Sequence, residues 1–273
     1  MWKIKCCLWL NTCFAKPANP GGRESERAYQ EMQFRNAGRA LEFYQRYVDF
    51  QGKDVLDLGC GIGGKTVYYA LQSGARKVIG VDVVERFVRL AQEFAESQQA
   101  SACVEFRVNA RETLNLDSNT MDVIISNDAM EHVEAPRQIL RECYRVLKPG
   151  GVVCLDFGPL YYSHNGAHIY DYINIPWCQL LFSQDTLIGA IKTLPPLPHA
   201  FGHDRTIERF TGLNKLTVRG FQRLLAEHDF DVVAWQVRRE KRFKGVPVTW
   251  LSYVPGVGNL FRNALTCILR KPR

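Results

Sequence analysis

Nowhere in the 273 residues does an apolar run reach the roughly 20 residues needed to cross a bilayer. The segment Met1 to Phe14 comes nearest. It carries Lys3 and Lys5 and is interrupted by Asn11 and Thr12, so it reads as a poor signal peptide that packs on the body or touches a membrane interface. Cys6, Cys7 and Cys13 have no matching Cys or His pair at zinc spacing. Cys60, Cys103, Cys143, Cys154, Cys178 and Cys267 stand singly, several inside apolar segments, which suits small buried side chains in a reducing, cytoplasmic compartment and argues against a structural metal. There is no low-complexity tract, so the chain is expected to be one elaborated globular domain, with disorder confined to its ends.

Charge is present in excess but unevenly. Residues 1–50, 51–156 and 157–273 carry net charges of +3, −3 and +7, and Arg238, Arg239, Lys241, Arg242 and Lys244 form the densest cluster. An anionic membrane surface, a phosphorylated substrate or RNA could meet that cluster, but a solvated strand end is the preferred reading.

The chain is organised around Val55-Leu56-Asp57-Leu58-Gly59-Cys60-Gly61-Ile62-Gly63-Gly64, in which a short apolar run meets a carboxylate and then glycines. This is the pattern of a strand, a tight turn and a helix start whose backbone a ligand can approach closely. Around it the periodicity predicts a segment and linker over 1–23, with Pro17–Gly22 as the linker, and a helical cover over 24–52. Strands follow at 53–58, 77–82, 103–108, 121–126 and 152–156, with helices over 65–72, 85–99 and 134–147 between them. Such alternation predicts an α/β, doubly wound, mostly parallel seven-stranded sheet with a core at 53–156. Asp57, Asp82, Asn109, Asn127 and Asp156 all fall at carboxyl ends of strands, where parallel sheets bind ligands.

From 157 to 214 the rhythm gives way to an aromatic, proline-bearing insertion, expected to cap the pocket after strand five. The remainder, 215–273, completes the sheet: Thr217 caps a helix running to His228, 230–237 is a strand, and 264–269 fits either a last strand or an amphipathic helix.

The glycine loop has two readings, a dinucleotide or a nucleoside lacking a pyrophosphate. Gly64-Lys65-Thr66 lacks the earlier glycine of a phosphate-binding NTPase loop. With Asp57 two residues before Gly59, with Asp82 ending strand two, and with Leu147-Lys148-Pro149-Gly150-Gly151 before strand five, residues 53–156 resemble the class I S-adenosylmethionine-dependent methyltransferases of small-molecule type. Gly59, Gly61 and Gly64 also satisfy the spacing of an NAD-binding loop, but Asp57 and the Lys-Pro-Gly-Gly segment favour the methyltransferases. The resemblance implies a Rossmann-like fold and S-adenosyl-L-methionine as cofactor. It implies that Asp57, Gly59, Gly61 and Gly63 hold the amino-acid half, that Asp82 with Val83 holds the ribose, that Asn109 and Ala110 meet adenine, and that Asn127 lies in the loop after strand four.

Methyl transfer to a hydroxyl needs alignment, exclusion of water and a base. His168 is the first candidate base, followed by His132 and His164, each of which also suits a structural or pocket-lining role. His164 and His168, four residues apart, would share a helical face, yet Gly166 between them favours a pocket lining over a metal site. Tyr161, Tyr162, Trp177 and His203 are candidate acceptor contacts, although the aromatics serve equally as the insertion's own core. The expected activity is transfer to a small-molecule hydroxyl, lipophilic or glycan-linked. RNA or protein methylation and a non-catalytic cofactor-binding relative are the alternatives; nucleic acid is disfavoured as a partner for want of an appended RNA-binding module.

Overall fold

The computed structural model describes residues 1–14, 24–197 and 202–273; the expected linker Pro17–Gly22 lies outside them. In chain order come α1 (Trp2–Thr12), α2 (Glu26–Asn36), α3 (Gly38–Tyr44), β1 (Asp54–Leu58), α4 (Gly64–Gln72), β2 (Lys77–Asp82), α5 (Glu85–Ser97), β3 (Val104–Val108) and β4 (Met121–Asn127). There follow α6 (Pro136–Val146), β5 (Leu147–Phe157), α7 (Cys178–Leu181), α8 (Gln184–Thr193), α9 (His203–Thr211), α10 (Val218–Leu225), β6 (Asp231–Arg239), a small hairpin of β7 (Arg242–Phe243) and β8 (Val246–Pro247), and β9 (Arg262–Arg270).

Seven strands form one sheet in the order β3-β2-β1-β4-β5-β9-β6. All neighbours are parallel except β9, which runs antiparallel to both β5 and β6. The order reverses between β1 and β4, so the carboxyl ends of these strands diverge and leave a crevice.

Alternation along each strand sends side chains to two cores. Leu56, Leu58, Ile124, Val153 and Leu155 pack with Ile139, Leu140 and Val146 of α6 and Phe221 of α10. Val55, Val123, Ile125 and Cys154 pack on the other side with Tyr44, Val67, Tyr69 and Phe94 of α3, α4 and α5. Cys60, Cys143, Cys154, Cys178 and Cys267 are buried and free, as their apolar surroundings predict.

The 264–269 ambiguity resolves as strand. Residues 264–269 are all buried, on both faces of the sheet, where an amphipathic helix would leave one side wet. Strand five begins earlier than its apolar residues imply: Leu147 already pairs with Met121, a register shift follows, and Val152 resumes opposite Val123.

The insertion has its own core. Ile169, Tyr172, Ile173 and Ile175 pack with Leu187, Ala190 and Ile191 of α8, and with Ile4, Cys7, Leu8 and Leu10 of α1. Asn11, which breaks the apolar run of the first segment, fixes this contact: its amide donates to Tyr172 O at 2.9 Å and its carbonyl accepts from Asn174 N–H at 2.7 Å. The opposite side of α1 leaves Trp2 and Trp9 exposed. No helix of the described residues is long and apolar enough to cross a membrane.

Candidate functional site

A cleft of about 670 Å³ opens at the carboxyl ends of β1, β2 and β4, within the size range of small-molecule sites. Its floor is the turn after β1. Gly59, Gly61 and Gly63 have φ of +77°, +53° and +85°, which only glycine adopts freely. The three do different work. A Cβ on Gly61 would meet nothing within 4 Å, leaving the backbone bare toward the cleft, whereas one on Gly63 would lie 2.6 Å from Ala91 Cβ. Gly63 therefore sets the packing of α4 against α5 and, unlike Gly59 and Gly61, is not part of the cleft wall.

Two carboxylates stand beside this turn. Asp57 is 3% exposed and accepts from Thr66 Oγ1 at 2.6 Å. Burial outweighs that bond and pushes its carboxyl up to about 6. Asp82 accepts from Gly61 N–H at 2.9 Å with one oxygen and from Val84 N–H at 3.0 Å with the other. Each oxygen keeps a second lone pair, so Asp82 holds the glycine turn and can still accept from ligand hydroxyls. Val83 and Ala110 also line the cleft.

Asn109 and Asn127 line it too, but their amides are occupied. Asn109 Nδ2 donates to Ala110 O and Thr113 O, and Oδ1 accepts from Asn115 N–H. Asn127 accepts from Tyr44 OH at 2.7 Å and donates to Tyr69 OH at 3.2 Å. Both shape the wall by holding their loops. Asp156, at the end of β5, pairs with Arg238 at 2.6 Å and stays outside the cleft wall.

The far wall carries Glu131, His132 and His168. Asn214 clamps this loop, donating to Met130 O at 2.7 Å and Val133 O at 2.9 Å. His168 is 1% exposed, in a left-handed backbone conformation (φ 57°), with its ring 5.0 Å from that of His132. Its Nε2 lies 2.7 Å from Pro159 O. A carbonyl only accepts, so Nε2 carries the proton and Nδ1 the lone pair; Nδ1 is buried without a hydrogen-bond partner. Burial lowers both histidines, His132 to about 4 and His168 well below the usual range, so both rings are neutral. Burial acts oppositely on Glu131, raising it to about 8. Glu131, His132 and His168 each bring one potential ligand atom within 4.8 Å of the others, a donor set that would also accept a divalent ion.

Other candidates lie elsewhere. His164 does not share a helical face with His168; its Nδ1 faces Glu240 at 3.1 Å and its ring packs near Trp177 and Phe243. Trp177 donates to Leu260 O at 3.3 Å, and Tyr161 and Tyr162 pack edge to face 5.2 Å apart. His203 lies 5.1 Å from the Tyr172 ring. None of these five lines the cleft, because the insertion turns them into its own core or onto the 240–261 segment.

Sequence reasoning missed Tyr29, Gln33, Lys65, Phe87, Tyr170, Arg205 and Arg209, all of which line the cleft. Gln30 places α2 over the turn by donating to Ile62 O and Leu90 O, both at 2.8 Å. Lys65 pairs with Asp128 at 2.6 Å, and Arg205 lies 4.6 Å over the Phe87 ring. The helical pattern of 24–52 announced a cover; no linear signal announced α9.

Residues 56–155 match the Methyltransferase domain family. Over 111 residues the chain is 32% identical to a ubiquinone biosynthesis O-methyltransferase of Coxiella burnetii, covering 41% of this chain and 46% of that protein. It is 30% identical to phosphoethanolamine N-methyltransferase 3 of Arabidopsis thaliana (55% and 33%) and to norajmaline N-methyltransferase of Rauvolfia serpentina (54% and 49%). The matches thus span less than half of these relatives. Among solved structures, a putative S-adenosylmethionine-dependent methyltransferase from Listeria monocytogenes superposes with a TM-score of 0.54 at 21% identity, over 87% of this chain and 99% of that one. The [4+2]-cyclase SpnF gives 0.56 at 17%, over 100% and 94%. These likenesses establish the fold alone. The sequence matches add the family, and residues 56–155 are a class I methyltransferase domain of Rossmann-like fold, a type whose cofactor is S-adenosyl-L-methionine.

Proposed function

We propose that the chain transfers a methyl group from S-adenosylmethionine to a hydroxyl of a small molecule held between the domain and the insertion. The observation that carries this reading is one cleft with two carboxylates at its glycine turn and, on the facing wall, a neutral histidine whose only lone pair has no protein partner. When bound, the cofactor supplies an electrophilic methyl group on a sulfonium. Asp82 holds the ribose hydroxyls, Val83 and Ala110 flank the adenine, and Asp57 compensates the ammonium group beside the bare backbone of Gly61. His168 takes the acceptor's proton on Nδ1, with Nε2–H anchored on Pro159 O. His132 packs against that ring and keeps it oriented.

Supporting the hydroxyl is the likeness to a ubiquinone biosynthesis O-methyltransferase. A second reading, transfer to an amine, is favoured by the buried Glu131, whose Oε2 lacks a hydrogen-bond partner and would hydrogen-bond an amine acceptor. Two relatives described as N-methyltransferases agree with it. A panel of phenols and of amines matched in size, with labelled S-adenosylmethionine, separates the two: label on phenols only supports the first, label on amines only replaces it. A peripheral contact with an anionic membrane, through exposed Trp2 and Trp9 beside Lys3 and Lys5, is part of the proposal.

A further inference from the structure

A second cavity, of about 420 Å³, lies outside the cleft, between α10 and the last two strands of the sheet. Arg219, Arg239 and Arg262 line it, together with Gln222, Gln236 and Trp235, and no acidic residue does.

Each arginine sits where a lone cation is unfavourable. Arg239 and Arg262 are directly opposite one another in the β6–β9 register, which places their Cβ atoms roughly 5 Å apart, and like charges so placed repel. Arg219 occupies the first turn of α10, which has no acidic side chain there; the helix N-terminus is already the positive end of the backbone dipole.

Nor does the protein neutralise them. Among the described residues, none of the three forms an ion pair. Arg239 donates to Val237 O at 3.0 Å and lies 4.8 Å over the Tyr253 ring, but its Nε is buried without a partner. Arg262 donates to Ser252 O at 3.1 Å and to Asn259 Oδ1 at 3.4 Å. The nearest carboxylates along these strands are engaged elsewhere, Glu240 with Asn263 at 2.9 Å and Asp156 with Arg238. Burial, then Arg219 and Arg239, draw the Arg262 guanidinium below its usual range.

We propose that this groove binds a phosphoryl group, carried by a lipid headgroup or by a soluble phosphate ester. Three guanidinium groups converging on one groove match a multiply charged tetrahedral anion, which each can engage with a fork of N–H donors. An anion there turns the Arg239–Arg262 repulsion and the unfavourable charge at the start of α10 into attraction. The neighbouring segment exposes Trp250 (63%), Tyr253 (64%) and Val257 (38%), which provide apolar contact for whatever carries the phosphate when it is an amphiphile.

The test uses the full chain with inorganic phosphate, and with phosphatidylcholine vesicles with and without phosphatidic acid. Saturable phosphate binding by calorimetry is expected, weakened about tenfold or more in Arg262→Gln and Arg239→Gln, as loss of a charge-assisted bond of about 1.5–3 kcal/mol implies. Arg219→Gln, at an exposed helix start, repeats the measurement where folding is not at issue, and Arg46→Gln controls for net charge. S-adenosylmethionine affinity should be unchanged in all four variants. Retention only on phosphatidic acid vesicles, lost in the variants, assigns the groove to a lipid headgroup; variant-sensitive binding of free phosphate without vesicle retention assigns it to a soluble ester. Binding equal in wild type and variants, or no binding of either probe, overturns the proposal. Arginine-dependent, salt-steep retention of single-stranded RNA without phosphate or vesicle binding replaces it by a nucleic-acid surface.

Discussion

His168 donates its Nε2–H to Pro159 O across 2.7 Å, and this one bond fixes which face of the ring is basic. His168→Ala should lower kcat by about 10²–10⁴, the usual contribution of a positioned base, while S-adenosylmethionine affinity stays within about twofold. Because burial keeps the ring neutral, the kcat profile of the wild type should lack the acid limb near 6.5 of an ordinary histidine. An unchanged kcat in the alanine variant removes His168 as base.

Asp82 offers free lone pairs while its other bonds hold the glycine turn. Asp82→Ala should weaken S-adenosylmethionine at least tenfold by calorimetry, and Asp82→Asn by less, since an amide oxygen still accepts one of the two backbone bonds. Equal affinity in wild type and Asp82→Ala sinks the ribose assignment.

Asp57 links the site to stability. Its carboxyl is raised from 3.8 to about 6 in the native state, so between those values the native chain keeps a proton that the unfolded chain releases. The contribution of Asp57 to stability without ligand therefore falls as pH rises from about 4 to 6, by about 3 kcal/mol at most, and that contribution is flat on either side. Asp57→Asn should remove that slope, raise the melting temperature at pH 7.5 and weaken S-adenosylmethionine binding. Urea titrations at pH 4.5 and 7.5 check the sign; an unchanged slope in the variant refutes it.

Asn11 joins α1 to the insertion with two buried bonds. Asn11→Ala strands Tyr172 O and Asn174 N–H and should cost about 1–3 kcal/mol. Loss of stability below about 0.5 kcal/mol in urea melts excludes the role.

Much of the core was legible because its signals are local. Val55-Leu56-Asp57-Leu58 and Met121 to Ser126 alternate between two buried faces, and Gly74 follows the helix it ends. Asp57 and Asp82 were visible because a carboxylate ending an apolar strand is rare. The insertion was not legible in the same way. Whether Tyr161, Trp177 and His164 face a ligand or each other depends on where 240–261 returns, which no local periodicity encodes. His168 and His164 look equivalent in the sequence, and only the left-handed backbone at His168, packed against Pro159, separates them. The three-arginine groove escaped for a similar reason: its members are 20 to 43 residues apart and meet only where the β6–β9 pairing sets Arg239 opposite Arg262 and α10 brings Arg219 beside them.

The docking of α1 on residues 172–191 also has a temporal meaning. Asn11 and Tyr172 are 161 residues apart, so a ribosome adding about 5–20 residues per second leaves the first helix without its seat for on the order of ten seconds. During that interval Ile4, Leu8 and Leu10 are as exposed as Trp2 and Trp9. The nascent helix then exposes apolar side chains on two sides, Ile4, Leu8 and Leu10 on one and Trp2 and Trp9 on the other, a transient target for chaperones or for any nearby interface before the acceptor side of the protein exists to receive it.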